Sequence, residues 1–453
     1  LIKQNINVMK ESRYNIFIEE PEKVLCYNSY TDSYIIISTK SYLTMKSLGV
    51  LKLEELYPKT YSNLVSNGFI IDDSTDELAL IRLQNKREAF STSVYYLMIY
   101  PTQDCNLKCW YCYESHVPKS KMTEETLDAV KLHISKVCKS RKFNRLRITF
   151  FGGEPLLYFN AIVLPILEHS QNETQKYGMI LTPFFVTNAS LLTKSVIMKI
   201  RQYSPLFQIT LDGGRAKHDK VRIWKGRKEK GTYKQIIDAL HLISLKCNYK
   251  QTGVSNVATI RINYDNFTLD DMEEILGDLK GLDKPKFFIH LERVWQTSKF
   301  SSSEEQFLKL KSSLELIGKS GFNVGFGIFG NKRTACPAEI EHYAIINWDG
   351  NIYKCNGRTL YPKDRVGTLL KSGDIAWDEN CIAKRTSVAT FENEMCLACK
   401  MLPRCMGPCS QKQIEQGTRN IKNICSLSSI DMPLHEYLKI NFELLLVSQN
   451  ANQ

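Results

Sequence analysis

The chain has 453 residues, 43% of them hydrophobic and 24% charged. That is enough apolar material for a large core in two or three domains, and it excludes a disordered or low-complexity protein. Sixty basic against 48 acidic residues leave a net charge of +12, which favours an anionic partner, although a solvated basic surface explains it equally well.

Residues 1–92 read as a small separate unit: a strand, turn and strand over Lys23–Ser38, then helical stretches, then Gly68–Ile71. Polar Lys86–Ser93 reads as the linker out of it. From Val94 onward apolar strand-like runs alternate with amphipathic helical ones, the pattern of βα units on a parallel sheet. Strands are expected at Val94–Tyr100, Leu146–Phe151, Ile180–Thr187, Leu206–Asp212, Ala258–Tyr264 and Lys286–Val294. Six such strands make an α/β fold, an open or partial barrel. A helix over Thr123–Ser140 places Leu127, Val130, Ile134 and Val137 on one face. Another begins at Thr268, with Thr268 as its cap and Asp271 answering from the third position. A dense basic cluster stands at Lys225, Arg227, Lys228 and Lys230. After about residue 335 the regular pattern fades, and bound metal would supply the missing cohesion. Leu434–Val447 reads as a terminal helix. No apolar run reaches the ~18 residues that a membrane-spanning helix needs and no signal-like block opens the chain, so a cytoplasmic protein without a membrane partner is expected.

Fourteen cysteines are the informative part of the composition. In a reducing compartment so many thiols point to metal or redox chemistry rather than to disulfides. Cys105, Cys109 and Cys112 share the loop after the first barrel strand, and seven more lie between Cys336 and Cys425. Cys26, Cys138 and Cys247 read as buried apolar thiols. Three thiolates leave one iron of a four-iron cubane without a protein ligand, and an open metal position is where a small molecule binds. A zinc knuckle with a fourth ligand elsewhere is the structural alternative.

The Cys-x3-Cys-x2-Cys spacing resembles the radical S-adenosylmethionine (SAM) superfamily, whose fold is a partial (β/α)6 barrel. The resemblance implies that a 4Fe-4S cluster on Cys105, Cys109 and Cys112 binds SAM and cleaves it to methionine and a 5′-deoxyadenosyl radical. It implies that Tyr111 lies along the adenine, and that the Gly152-Gly153-Glu154-Pro155 motif ending the second strand holds the SAM amino group. Asn188, Thr210 and Asp212 at later strand ends are implied polar contacts, and Arg222 a candidate for the SAM carboxylate. His218 is read as a hydrogen-bonding residue rather than a metal ligand.

The later cysteines resemble the SPASM domain in their spacings. That implies two auxiliary 4Fe-4S clusters, three in all: Cys396, Cys399, Cys405 and Cys425 hold the outer one, and Cys336, Cys355 and Cys409 the inner one. Two cubanes want eight ligands and seven are present; His342, Cys381, a substrate thiol or water are the candidates for the eighth. Zinc is the alternative for Cys-x2-Cys pairs, but zinc passes no electrons. The expected division is 1–92, a winged-helix-like leader-recognition domain; 93–330, the radical SAM barrel; 331–430, the SPASM domain; and 431–453, a C-terminal helix.

Relatives with this module mostly modify ribosomally made peptides. The expected function is oxidative thioether or carbon–carbon cross-linking of a precursor peptide with a leader, served by an external one-electron donor such as flavodoxin or ferredoxin. Sulfatase maturases, which form formylglycine, carry a proton-transferring aspartate after the Gly-x4-Cys cysteine; Asn356 stands there, and an amide is no such base. A non-catalytic leader-binding or electron-carrying protein is opposed by the intact motifs. RNA modification is opposed by the lack of an RNA-binding motif, so no nucleic-acid partner is expected.

Overall fold

The computed structural model describes residues 8–226, 231–247, 256–265, 267–294, 304–326, 336–388, 390–417, 421–430 and 432–450. Arg227, Lys228 and Lys230 of the basic cluster lie outside them. Two compact units are present: 1–90 with 328–337 and 386–445, and 91–327 with 338–385 and 446–453. This division cuts across the four segments expected from sequence, because the cysteine-rich region is shared between the units.

In the first unit, strands β1 (Met9–Glu11) and β5 (Ile70–Asp72) pair with each other, and β2 (Asn15–Glu19), β3 (Lys23–Asn28) and β4 (Ser33–Ser38) form an antiparallel sheet. The expected turn closes because the Asn28 side-chain oxygen accepts from the backbone N–H groups of Tyr30 and Thr31 at 2.9 and 3.0 Å, an Asx turn. Alternation along β3 and β4 puts Val24, Cys26, Ile35 and Ile37 on one face, where they pack with Leu53, Leu64 and Phe69. The segment Lys86–Ala89, expected as linker, is instead the last turn of a helix over Glu77–Ala89. Its polarity is that of a solvated helix end: Asp76 caps the start, and Lys86 and Arg87 oppose the dipole at the finish.

A second core in this unit joins Tyr14 and Ile81 to Cys396, Leu402 and Met406. Arg13 donates to the Leu397 carbonyl at 2.7 Å, Ser29 to that of Lys400, and Arg404 pairs with Asp32 at 3.0 Å. The cysteine-rich segment therefore draws cohesion from the N-terminal residues, where the sequence suggested metal alone.

The second unit contains β6 (Val94–Ile99), β7 (Leu107–Cys109), β8 (Arg145–Phe150), β9 (Ile180–Thr187), β10 (Leu206–Leu211), β11 (Arg222–Trp224), β12 (Ala258–Tyr264), β13 (Phe287–Arg293), β14 (Asn323–Phe326), β15 (Tyr343–Ile346), β16 (Asn351–Tyr353), β17 (Gly367–Leu369) and β18 (Ile375–Trp377). Eleven of them make one sheet in the order β14-β13-β12-β10-β9-β8-β6-β15-β16-β17-β18. Pairing is parallel from β14 to β15 and antiparallel beyond. The six expected strands lie contiguous in it, as an open parallel run. The helix Glu124–Lys139 starts where Thr123 accepts from the Thr126 N–H at 3.2 Å, and it buries Leu127, Val130, Ile134 and Val137.

The capping pair Thr268 and Asp271 does not form. Asp265 takes the cap, accepting from the N–H groups of Phe267 and Thr268. Asp271 turns outward and accepts from the Gly214 N–H at 2.9 Å, and Glu274 accepts from that of Arg215. These carboxylates satisfy the start of the neighbouring helix Arg215–Val221.

Candidate functional site

Cys105, Cys109 and Cys112 follow the carboxyl end of β6, on a loop with three independent braces. The first is Asp104, whose carboxylate accepts from the Cys105 N–H (2.8 Å), the Lys119 N–H (2.9 Å) and the Lys225 ammonium (3.0 Å). Burial opposes its charge, yet these donors hold its pKa below the usual range.

The second brace is the paired glycines. A Cβ on Gly152 would stand 2.3 Å from the Thr102 carbonyl oxygen, and one on Gly153 2.1 Å from that of Asp104. The N–H groups of Gly153 and Glu154 donate to those two oxygens at 3.2 and 2.9 Å. The resemblance implies a ligand-holding role for this motif; in the structure its glycines admit the backbone that leads into Cys105. Gly153→Ala is therefore expected to displace the loop and cost about 1–3 kcal/mol. A fall in melting temperature together with loss of bound iron would show it, and an unchanged iron content would contradict it.

The third brace is the short ladder of β7 with β11, which sets Arg222 directly opposite Cys109. Arg222 reaches Asp212 at 2.5 Å and the Tyr111 oxygen at 2.8 Å, and the Tyr111 hydroxyl donates to Asp212 at 2.6 Å. Asn263 on β12 donates to both, at 3.0 and 3.1 Å. The sequence-predicted Tyr111, Asp212 and Arg222 thus meet in one network. Asn263 was missed, although a polar residue within the apolar run of β12 was a signal for it.

His218 accepts from the Asp212 N–H through Nδ1 (3.2 Å), so Nε2 carries the proton that faces the Thr232 hydroxyl (3.1 Å). Burial, then the charge of Arg222, push its pKa down to about 4. It is a neutral structural residue. The unfolded chain binds its proton near pH 6.5 and the folded chain does not, so stability is lost as pH falls from about 6.5 to 4, by about 3 kcal/mol for this residue. His218→Gln keeps both hydrogen bonds and is expected to flatten that acid limb in denaturant titrations; an unaltered limb would contradict the assignment.

Glu154 is fully buried at the far side of the loop. Its carboxylate accepts from the Leu156 N–H (3.0 Å), the Thr187 hydroxyl (2.7 Å) and the Asn188 N–H (2.9 Å). Burial raises its pKa to about 7 against the pull of these donors. The Asn188 amide donates to Asn106 at 2.9 Å and stands 3.7 Å from the Cys105 sulfur. Thr210 lies on β10 opposite Arg261.

Burial lifts the Cys105 and Cys109 thiols to about 12 and 11, and that of Cys112 upward. Such thiols give up protons to a bound metal cluster rather than to water. Among the described residues no three His, Cys, Asp or Glu side chains converge tightly enough for a single metal ion. In the first unit Cys396, Cys399, Cys405 and Cys425 instead wall one cavity of about 150 Å³, with Leu402, Pro408 and Leu427 beside them. Burial and the neighbouring cysteines raise the Cys396 thiol to about 12. Four thiols around an apolar cavity fit a cysteine-held cluster.

His342 is one candidate for the eighth ligand. Its ring packs edge-on to Phe143 at 4.8 Å and near Tyr95, while Tyr343, Ile345 and Tyr353 share a different cluster. Cys381 lies in the first turn of the helix Glu379–Thr386, its N–H held by Asp378 at 3.1 Å. Cys26, Cys138 and Cys247 are buried, as expected of structural thiols.

Residues 99–279 match the Radical SAM superfamily. Over 169 residues, 33% of this chain and 35% of that protein, the sequence is 26% identical to the radical SAM cyclopropyl synthase TigE of Paramaledivibacter caminithermalis. The chain thus spans only about a third of that curated relative's length. Among solved structures, anSMEcpe with bound AdoMet aligns with a TM-score of 0.56 at 19% identity, covering 79% of this chain and 99% of that one. Streptococcus suis SuiB bound to S-adenosylmethionine aligns with a TM-score of 0.50 at 15% identity, covering 90% and 97%. These likenesses establish the fold, and the match to the Radical SAM superfamily is confined to residues 99–279.

Proposed function

We propose that the chain is an enzyme that matures a ribosomally made peptide by oxidative cross-linking, forming a thioether or a carbon–carbon bond. The observation that carries this reading is the pairing of a braced three-cysteine loop with a separate four-cysteine cavity. When bound, the loop cluster supplies the electron that cleaves SAM to methionine and a 5′-deoxyadenosyl radical. The chain's own residues orient the partners. Arg222, held by Asp212 and Tyr111, presents positive charge for the SAM carboxylate. Glu154, sealed from solvent, holds Asn188 beside the loop, and Asn188, Thr210 and Asn263 offer polar contacts.

Hydrogen abstraction from a peptide carbon followed by ring closure releases one further electron and a proton, and auxiliary clusters held by the later cysteines would supply an acceptor for that electron. We assign one to Cys396, Cys399, Cys405 and Cys425 and a second to Cys336, Cys355 and Cys409. Three cubanes correspond to about twelve irons per chain after anaerobic reconstitution, whereas about four irons would remove the auxiliary clusters from the account.

A peptide substrate is supported by the N-terminal residues, where β4 is the outer strand of its sheet and exposes Ile36. An extended leader can add to such an edge. The fold neighbour anSMEcpe has been crystallised with AdoMet and the Cp18Cys peptide. Asn356 offers no carboxylate of the kind formylglycine maturases use, so cross-linking is preferred. A flavodoxin- or ferredoxin-like donor and a cytoplasmic location complete the proposal. Co-expression with a short precursor is expected to remove two hydrogens, mapped by mass spectrometry to a residue pair. SAM consumption with an unaltered peptide would contradict it.

A further inference from the structure

At the amino-terminal end of the parallel strands, away from Cys105, a cavity of about 480 Å³ opens among Tyr96, Arg145, Arg147, Thr182, Phe184 and Thr259. Arg145 and Arg147 are two residues apart on β8 and face the same side. Arg145 donates to the Thr182 hydroxyl at 2.6 Å, and the Arg147 guanidinium lies 5.0 Å from the centre of the Phe184 ring. Among the described residues no carboxylate pairs with either arginine. Burial depresses the pKa of Arg147, Tyr96 opposes this, and the like charge of Arg145 adds to it. A partly buried cation without a counter-charge is costly unless an anion arrives. The Asn256 side-chain oxygen, also in this lining, is buried and meets no hydrogen-bond donor among the described residues. The cavity thus offers two guanidinium groups for a carboxylate and an acceptor for an N–H, the pair of groups that a peptide carries.

Register sets the reach. Arg147 is level with Tyr96 and Thr182, three residues before β8 ends at Phe150, about 10 Å. That is roughly three residues of extended peptide. Resting on the maturase reading, we infer that this cavity anchors a carboxylate of the substrate peptide, either an Asp or Glu side chain or the C-terminal carboxylate. The anchor selects the peptide residue presented at the carboxyl end of the strands, a remote contact used for orientation.

The test uses the full reconstituted chain with SAM and three probes: acetyl-Ala-Asp-Ala-amide, acetyl-Ala-Ala-Ala with a free C-terminus, and acetyl-Ala-Asn-Ala-amide. One of the two carboxylate peptides is expected to bind about tenfold or more tightly than the neutral one, and which of them does so identifies the source. Arg147→Gln is expected to erase the preference, and Arg147→Lys, which keeps the charge without the planar fork, to restore part of it. Peptide-independent SAM cleavage is expected to be unchanged in both. Equal binding of the three probes by the wild type, or a preference that survives in R147Q, would overturn the inference. Failure of the maturase reading shows separately, as absent 5′-deoxyadenosine with the carboxylate preference intact.

Discussion

Replacing Cys105, Cys109 and Cys112 together by alanine is expected to abolish SAM cleavage and to lower bound iron by about a third, from about twelve to about eight per chain. The fold should survive. The loop is held by Asp104, by the Gly152–Gly153 turn and by the β7–β11 ladder, and the Asp104 and glycine braces need no cysteine side chain. Only Cys105 is buried by its own surface, so truncation leaves a small void costing about 1–2 kcal/mol. Cys26→Ala is the matched control, because Cys26 lies in the core of the N-terminal sheet. Its SAM cleavage and iron content are expected to match the wild type. Equal iron loss in the two variants would show that the loop cysteines hold no cluster of their own.

Glu154→Gln is expected to be the most damaging conservative change at the site. Two backbone N–H groups and the Thr187 hydroxyl converge on a carboxylate sealed from solvent. A glutamine offers one acceptor oxygen and turns an NH₂ toward donors, leaving at least one buried N–H unpaired. Hydrogen bonds to a charged group contribute about 1.5–3 kcal/mol each, so a loss on the order of 3 kcal/mol is expected by denaturant unfolding. SAM affinity should fall as well, because the same group anchors Asn188 beside Cys105. Glu154→Asp, which retains charge on a shorter stem, should recover part of the stability. A Gln variant as stable as the wild type would show that the carboxylate is protonated in the folded chain and donates one of these bonds.

The parts legible in the sequence are those that repeat or carry a fixed spacing. The six strands from β6 to β13 emerged because apolar runs of six to eight residues alternate with helical faces, and the structure places them within a residue or two of expectation. The cysteine loop and the Gly-Gly-Glu turn were legible as motifs, but the structure supplies the reason for the glycines, a collision with the Thr102 and Asp104 carbonyls that no local pattern encodes. Strands of three or four residues fall below any periodicity. That is why β15 to β18 were read as fragments although they extend the main sheet, and why the β7–β11 ladder that positions Arg222 went unseen. Long-range partners were likewise hidden. Asp271 looked like a cap for its own helix and serves another, and Tyr14 and Ile81 pack with Cys396 and Leu402 across more than 300 residues of chain.

Reduction of the anaerobically reconstituted full chain in the presence of SAM tests the central claim most directly. The account predicts equimolar 5′-deoxyadenosine and methionine in the wild type, and neither in the triple cysteine variant. Iron-loaded wild-type protein that leaves SAM intact under reduction would contradict it.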